Sequence, residues 1–350
     1  MAQTNREGIM TNSEAISPSP VRRLLGRARD IFPGVLASAV VAMAATFLSG
    51  RYGGPTMLFA LLLGMPFHFL SLEGRCVAGI NIAARTILRF SIGFLGARIT
   101  IAQIASLGWK PFLSVICATI LTILVGAAIA RAFKLQRDFG LLTGGATAIC
   151  GASAALAIGT VLPRDKTSER DVIFAVIGVT TLSTMAMVLY PLIAALFHLS
   201  YIDQGVFLGG TIHDVAQVVG AGYSVSPQTG DVATVVKLLR VSMLLPVVLS
   251  ISLFLPGAAR PAGSRALPVP GFLLGFAALV ILGSFGVIPA FVRDGLASVS
   301  QWCLVIAIAA LGMKTSIKAL VQVGLRPIVL MVAETLFLAV FVLLVIKFLF

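Results

Sequence analysis

Between Pro327 and Leu349 the chain carries two charged residues, Glu334 and Lys347, in an otherwise apolar run. About 20 apolar residues in a helix cover the hydrocarbon core of a bilayer. Ten similar runs precede this one, at roughly 33–49, 55–70, 86–105, 111–130, 139–162, 172–197, 205–222, 232–255, 269–290 and 297–318. Charged residues are 11% of the chain and mean hydropathy is +1.03, where a soluble domain has about 25% charged residues. The runs lack the strict alternation of a transmembrane barrel. The expected fold is therefore an all-α polytopic membrane protein with about 10–11 transmembrane elements. Residues 1–30 read as a flexible cytoplasmic tail, and 31–350 as one transmembrane domain.

The net charge of +13 fits loops that stay on the cytoplasmic side. No soluble basic domain is present, which argues against nucleic-acid binding. Cys76, Cys117, Cys150 and Cys303 are scattered without metal-ligand spacing. No metal or cofactor is expected. With the tail inside, Arg75, Arg85, Arg131, Lys134, Arg137, Arg260, Arg265, Lys318 and Arg326 fall inside as well. The charged loop 163–171 falls outside if every element crosses. It moves inside if elements five and seven both re-enter, from opposite sides. Hydropathy leaves both solutions open.

An internal repeat is present. Leu95-Gly96-Ala97-Arg98-Ile99-Thr100-Ile101 recurs as Leu311-Gly312-Met313-Lys314-Thr315-Ser316-Ile317, and Gly108-Trp109-Lys110-Pro111 matches Gly324-Leu325-Arg326-Pro327 without a gap. Both topologies set the two copies in opposite orientations. Inverted repeats are the build of many secondary transporters.

Two stretches carry residues that a lipid-facing helix does not need. One contains Gly144, Gly145, Thr147, Cys150, Gly151 and Ser153; the other contains Gly209, Gly210, His213, Asp214 and Gln217. Paired glycines weaken helices, so helix breaks are expected at Gly144-Gly145 and Gly209-Gly210. Irregular backbone at membrane depth is tolerated only where protein or a wet cavity covers it. His213, Asp214 and Gln217 are candidate substrate or ion ligands; the plainer reading is a solvated helix end. Thr147, Cys150 and Ser153, spaced by three, would share a helix face and line the path, or simply pack. Lys237 and Arg240 either bind an anion or snorkel to headgroups. Arg98 and Lys314, at equivalent repeat positions, either face an anion or anchor at the interface. Glu334 is a lone carboxyl in the last run, and needs a partner or neutrality there. His68 and His198 read as interfacial.

These motifs identify a family. Thr147-Ala148-Ile149-Cys150-Gly151-Ala152-Ser153-Ala154, Ile212-His213-Asp214-Val215-Ala216-Gln217-Val218-Val219 and Lys237-Leu238-Leu239-Arg240-Val241 resemble the motifs of the YeiH/UPF0324 membrane protein family. That family carries the label of sulfate exporter. The resemblance spans residues 31–350 and implies a cation/proton-antiporter-like and bile-acid-symporter-like fold, with two inverted five-helix repeats and crossed, interrupted helices. Asp214 stands where relatives often have Glu, and Thr147 where Ser is common; both keep the chemistry.

The expectation is a multi-pass secondary transporter of the bacterial inner membrane, not an enzyme. It would export a small anion such as sulfate, coupled to a proton or sodium. The rival is a monovalent cation/proton antiporter using Asp214 and Glu334. The bilayer is the one firm partner, with homodimerisation left open. No Walker A, HExxH or GxSxG motif is present.

Overall fold

The computed structural model describes residues 20–163, 169–255, 271–315 and 325–349, with the side chains of 20–27 and 325–326 left aside. The tail up to residue 19, Arg260, Arg265, Lys318, Ser316 and residues 164–168 of the charged loop lie outside the described residues.

The chain is helical throughout its described length, with helices α1 (Pro20–Tyr52), α2 (Thr56–Gly64), α3 (Val77–Ile82), α4 (Leu88–Leu95), α5 (Ile101–Ser106), α6 (Trp109–Ala132), α7 (Arg137–Ala148) and α8 (Ala152–Val161) in its first half. The second half contains α9 (Glu169–Leu196), α10 (Tyr201–Thr211), α11 (Val215–Val225), α12 (Pro227–Ser242), α13 (Leu244–Phe254), α14 (Gly271–Ser284), α15 (Ala290–Lys314) and α16 (Leu325–Leu349). A 3-10 segment, Met65–Ser71, extends α2, and a π turn, Ala83–Ile87, joins α3 to α4. Pro246 has no N–H to offer the carbonyl of Ser242, and the α12–α13 helix changes at Met243.

Among the described residues, seven helices are long and apolar enough to cross a membrane: 28–52, 77–95, 109–132, 169–196, 227–254, 290–314 and 327–349. The outer helices expose apolar stripes, such as Phe32, Leu36, Val40, Met43 and Phe47 on α1. These recur at helical spacing, as a lipid-facing surface requires. In contrast, α7 is buried from Asp138 to Ala148, and α10 from Gln204 to Thr211. The most enclosed helices are thus the two predicted to be interrupted.

Those two elements re-enter. Gly145 of α7 sits against the side chain of Ile158 in α8, where an added Cβ would come 2.2 Å from Ile158 Cδ1. Residues 13 positions apart would be about 20 Å apart on one straight helix. The α7–α8 element is therefore a hairpin with its tip at Ile149-Cys150-Gly151. Likewise Thr229, at the start of α12, donates to the carbonyl of Tyr201, at the start of α10 (3.0 Å). The α10–α11 element leaves and returns on one face, with its tip at Ile212-His213-Asp214. The crossed helices implied by family resemblance are replaced by two hairpins whose tips meet. Of the two topologies open to hydropathy, the re-entrant one holds, and it puts the end of α8 and the start of α9 on the face of Arg131 and Arg137.

The predicted breaks fall elsewhere than at the paired glycines. Gly144, Gly145, Gly209 and Gly210 lie inside regular helix. They serve close packing: a Cβ on Gly144 would lie 3.1 Å from Ile123 Cα, and one on Gly209 would lie 2.5 Å from the carbonyl of Ala233. The first chain reversal uses Gly151, whose φ of +63° suits glycine. The second uses extended backbone at Ile212 and Asp214.

The repeat is real and inverted. Its offset pairs α4 with the end of α15, α6 with α16, and α2 with α14. Lys110 Nζ, at the start of α6, donates to the carbonyl of Leu349 at the end of α16 (2.7 Å). Gly126, near the end of α6, faces Glu334 near the start of α16. Equivalent helices therefore run antiparallel. The contacts are also reciprocal. Gly312 presses on α2, with a would-be Cβ 2.2 Å from the carbonyl of Leu61. Its equivalent Gly96 presses on α14, 2.3 Å from the carbonyl of Phe276.

The helices sort into two groups. α1 to α4, α14 and α15 pack as one slab; α6 to α13 and α16 pack as the other, which holds both hairpins. The α11 arm packs onto the slab against α2 and α15. Each group mixes helices from both repeats.

A side chain at Gly312 must displace main chain. Gly312→Val should lower the thermal midpoint in detergent by several degrees, for about 1–3 kcal/mol of overpacking. Gly275→Ala, where nothing lies within 4 Å, should leave it unchanged or slightly raised.

Candidate functional site

Each hairpin tip exposes backbone groups at membrane depth. The last carbonyls of α7 and α10 have no helical partners, and leaving them bare in a low-dielectric interior would cost about 1–3 kcal/mol apiece. Two cations on α12 answer this. Lys237 and Arg240 are three residues apart, hence on one face, and both are 0% exposed. Lys237 Nζ donates to the carbonyls of Ile149 (2.7 Å), Ile212 (2.9 Å) and His213. All three ammonium hydrogens are engaged. Arg240 Nε donates to Ala148 O (2.8 Å), Nη2 to Thr147 O (2.8 Å), and Nη1 to Gly209 O (3.1 Å) and Ile212 O (3.0 Å). One α12 face thus clamps both tips. Positive charge at a helix C-terminus also opposes the negative end of its dipole.

His213 is enclosed as well. Its Nδ1 faces the carbonyl of Thr147 at 2.9 Å. A carbonyl only accepts, so Nδ1 carries the proton. In the neutral ring Nε2 then accepts from the Thr335 hydroxyl (3.1 Å). His213 therefore ties the second tip to α7 and to α16. Glu334, beside Thr335 and 0% exposed, accepts from Thr143 Oγ1 (2.7 Å) and Thr147 Oγ1 (3.3 Å). Thr147 joins the network through both its atoms: its hydroxyl meets Glu334, and its carbonyl meets His213 and Arg240.

Asp214 differs in being partly exposed. It is the N-cap of α11, and its Oδ1 accepts from Ala216 N (2.8 Å). Its own N–H donates to Ser183 Oγ (3.0 Å). Gln217 Nε2 donates to Thr184 Oγ1 (2.8 Å), whose hydroxyl in turn donates to Thr180 O (3.0 Å). That fixes the amide orientation. Gln217 Oε1 is buried without a partner among the described residues.

The Thr147, Cys150 and Ser153 alignment does not survive, because the tip falls between them. Thr147 points into the network, Cys150 is buried, and Ser153 is exposed on a face of α8 shared with Leu156 and Thr160. The start of α8 has no side-chain cap. Arg98 lies away from the tips, 3.4 Å from Asp231 Oδ2. Lys314 ends α15, where His68 Nδ1 (2.7 Å) and Ser71 Oγ (2.9 Å) donate to the carbonyl of Met313. Sequence reasoning missed Ser183, Thr184 and Thr335. They are ordinary helix hydroxyls, with nothing in their local spacing to mark them.

Removing a clamp leaves orphaned carbonyls. Arg240→Met and Lys237→Met should each destabilise the folded protein by about 3–5 kcal/mol, read as loss of the monodisperse species in detergent. Thr143→Val removes one neutral-to-carboxyl hydrogen bond. It should cost about 1–3 kcal/mol in a thermal melt while the protein stays folded.

The family model described as "Conserved hypothetical protein 698" matches residues 33–331. The chain is 56% identical over 315 residues to UPF0324 membrane protein CT0845 of Chlorobaculum tepidum, covering 89% of this chain and 88% of that one. It is 54% identical to UPF0324 membrane protein TauZ of Paracoccus pantotrophus, covering 91% and 95%. It is 51% identical to UPF0324 membrane protein RB0971 of Rhizobium meliloti, covering 89% and 91%. No solved structure matches. With the motifs of both tips and of the α12 clamp carried inside the matched region, the chain belongs to the UPF0324 family of membrane proteins.

Proposed function

We propose that the protein is a secondary transporter of a small anion in the bacterial inner membrane, with sulfate-like oxyanions as its substrate class and a proton or sodium ion as the coupling ion. The observation that carries this reading is the charge balance at the two tips. Four helix ends converge there. Lys237 and Arg240 cover the two C-terminal ends, and Asp214 caps the N-terminal end of α11. At the N-terminal end of α8 the cap position is Gly151, which has no side chain to offer; the Cys150 thiol meets the Ala154 N–H, and exposed Ser153 lies beside them. Free N–H groups and a positive dipole end suit an oxyanion. Lys237 and Arg240 then act by holding the tips and offsetting the C-terminal dipoles, not by touching substrate. Inverted repeats with the site at their junction are the build of alternating-access carriers.

A cation/proton antiporter is the second reading. The carboxyl of Asp214, placed at the second tip on a residue that is partly exposed, favours it. Glu334, enclosed by Thr143 and Thr147, serves that reading less well.

Counterflow of labelled oxyanions in proteoliposomes separates the two. Under the anion reading, Ser153→Trp should cut oxyanion flux at least about tenfold, a loss of about 1.4 kcal/mol in transition-state stabilisation. Asp214→Asn should keep anion exchange and lose its dependence on proton or sodium gradients. Under the cation reading, Asp214→Asn abolishes cation/proton exchange, and no oxyanion exchanges at all.

A further inference from the structure

Both re-entrant elements are hairpins, yet their return arms meet different surroundings. In the second hairpin, α11 is buried from Ala216 to Gly222, and its Gly220 lies against Met187 of α9 and Ile308 of α15. In the first, α8 packs on α7, α9 and α13, and Ser153, Leu156 and Thr160 are exposed. One arm is sealed against the slab; the other is open. In an inverted-repeat carrier, such inequality distinguishes the two faces.

The sealed side carries a polar connection between the groups. Arg98 follows α4 in the slab, and its Nε lies 3.4 Å from Asp231 Oδ2 at the start of α12. Asp231 Oδ1 accepts from the Tyr223 hydroxyl at the end of α11. Both attachments are stiff. On the slab side, Thr100 and Gln103 form a capping box, and Ile101 N donates to Ser284 Oγ of α14 (2.8 Å). On the other side, the Tyr223 ring lies on Gly230, where a Cβ would come 2.5 Å from ring atoms. The inverted counterpart of Arg98 is Lys314. Among the described residues, no carboxylate is paired with it.

We infer that Arg98, Asp231 and Tyr223 form a latch between the two helix groups. It holds the protein closed on the Arg98 face while the α8 face is open, and it must part before the closed face can open. The inference rests on the carrier reading above for its purpose, but not for its test.

The test is thiol accessibility in the full chain, with the four native cysteines replaced and one reporter introduced, Val219→Cys on the sealed arm or Ser153→Cys on the open arm. The protein is reconstituted in liposomes, and a membrane-impermeant maleimide is added from either side. With the latch intact, the Val219→Cys thiol should label slowly from both sides, and the Ser153→Cys thiol should label quickly from the face opposite Arg98. Arg98→Gln or Asp231→Asn should speed labelling of the Val219→Cys thiol from the Arg98 face by roughly fivefold, as expected for a half-exposed ion pair with a supporting hydrogen bond. Labelling of the Ser153→Cys thiol should slow in the same variants. The charge swap Arg98→Asp with Asp231→Arg should restore slow labelling. Unchanged rates in folded Arg98→Gln and Asp231→Asn proteins overturn the latch. So does equal acceleration from both sides, or a charge swap that behaves like the single changes. If a single variant does not stay monodisperse, Tyr223→Phe, which keeps the ring packing, decides by the same criterion. Absence of oxyanion flux would sink the anion reading and leave these labelling rates fully interpretable.

Discussion

The structure depends on how two reversals of the main chain are held in the middle of a membrane. Hairpin tips at that depth expose carbonyl groups that neither lipid nor a regular helix can satisfy. Lys237 and Arg240 bond Thr147, Ala148, Ile149, Gly209, Ile212 and His213 through their main-chain oxygens. Burying two cations is itself costly, and here that cost is offset by dense hydrogen bonding, the condition under which buried charge is tolerated. Neither side chain is free to leave without undoing the tips.

The clamp also explains the division of labour around it. Fully enclosed polar groups, His213 with Thr335 and Glu334 with Thr143 and Thr147, knit α7, α16 and the second tip together. Asp214 is partly exposed as a residue, and Ser153 is exposed. Polarity in the sequence therefore marks two different things, enclosed groups that hold the tips together and groups beside the tips that keep some exposure, and the hydrogen-bond partners separate them.

Much of the fold was legible from residue order. Charge-free runs located the elements, and the match of Leu95-Gly96 to Leu311-Gly312 located the repeat; α6 and α16 do begin 216 residues apart. The third element starts earlier than read, at Val77, because Arg85 interrupts its apolar run where the π turn Ala83–Ile87 carries the helix on. The site was less legible. Glycine pairs signal weak helix, but Gly144 and Gly209 answer to neighbouring main chain in α6 and α12, a tertiary demand without a local signature. Gly151 looks like any other glycine until its φ is known. Lys237 and Arg240 stood out as charges in an apolar context, yet their acceptors are carbonyls of residues 24 to 93 positions away, which spacing along one helix cannot reveal.

The glycine contacts of the slab carry a mechanical consequence. At Gly64 against Gly312, and at Gly96 against α14, helices meet main chain to main chain. Side chains that could change rotamer and absorb a displacement are absent from those crossings. Shear within the slab would drive carbonyls into Cα atoms almost at once. Force applied to α15 must then pass whole to α2, so the slab should behave as a stiff plate, and any rocking has to be taken up along its border with α11.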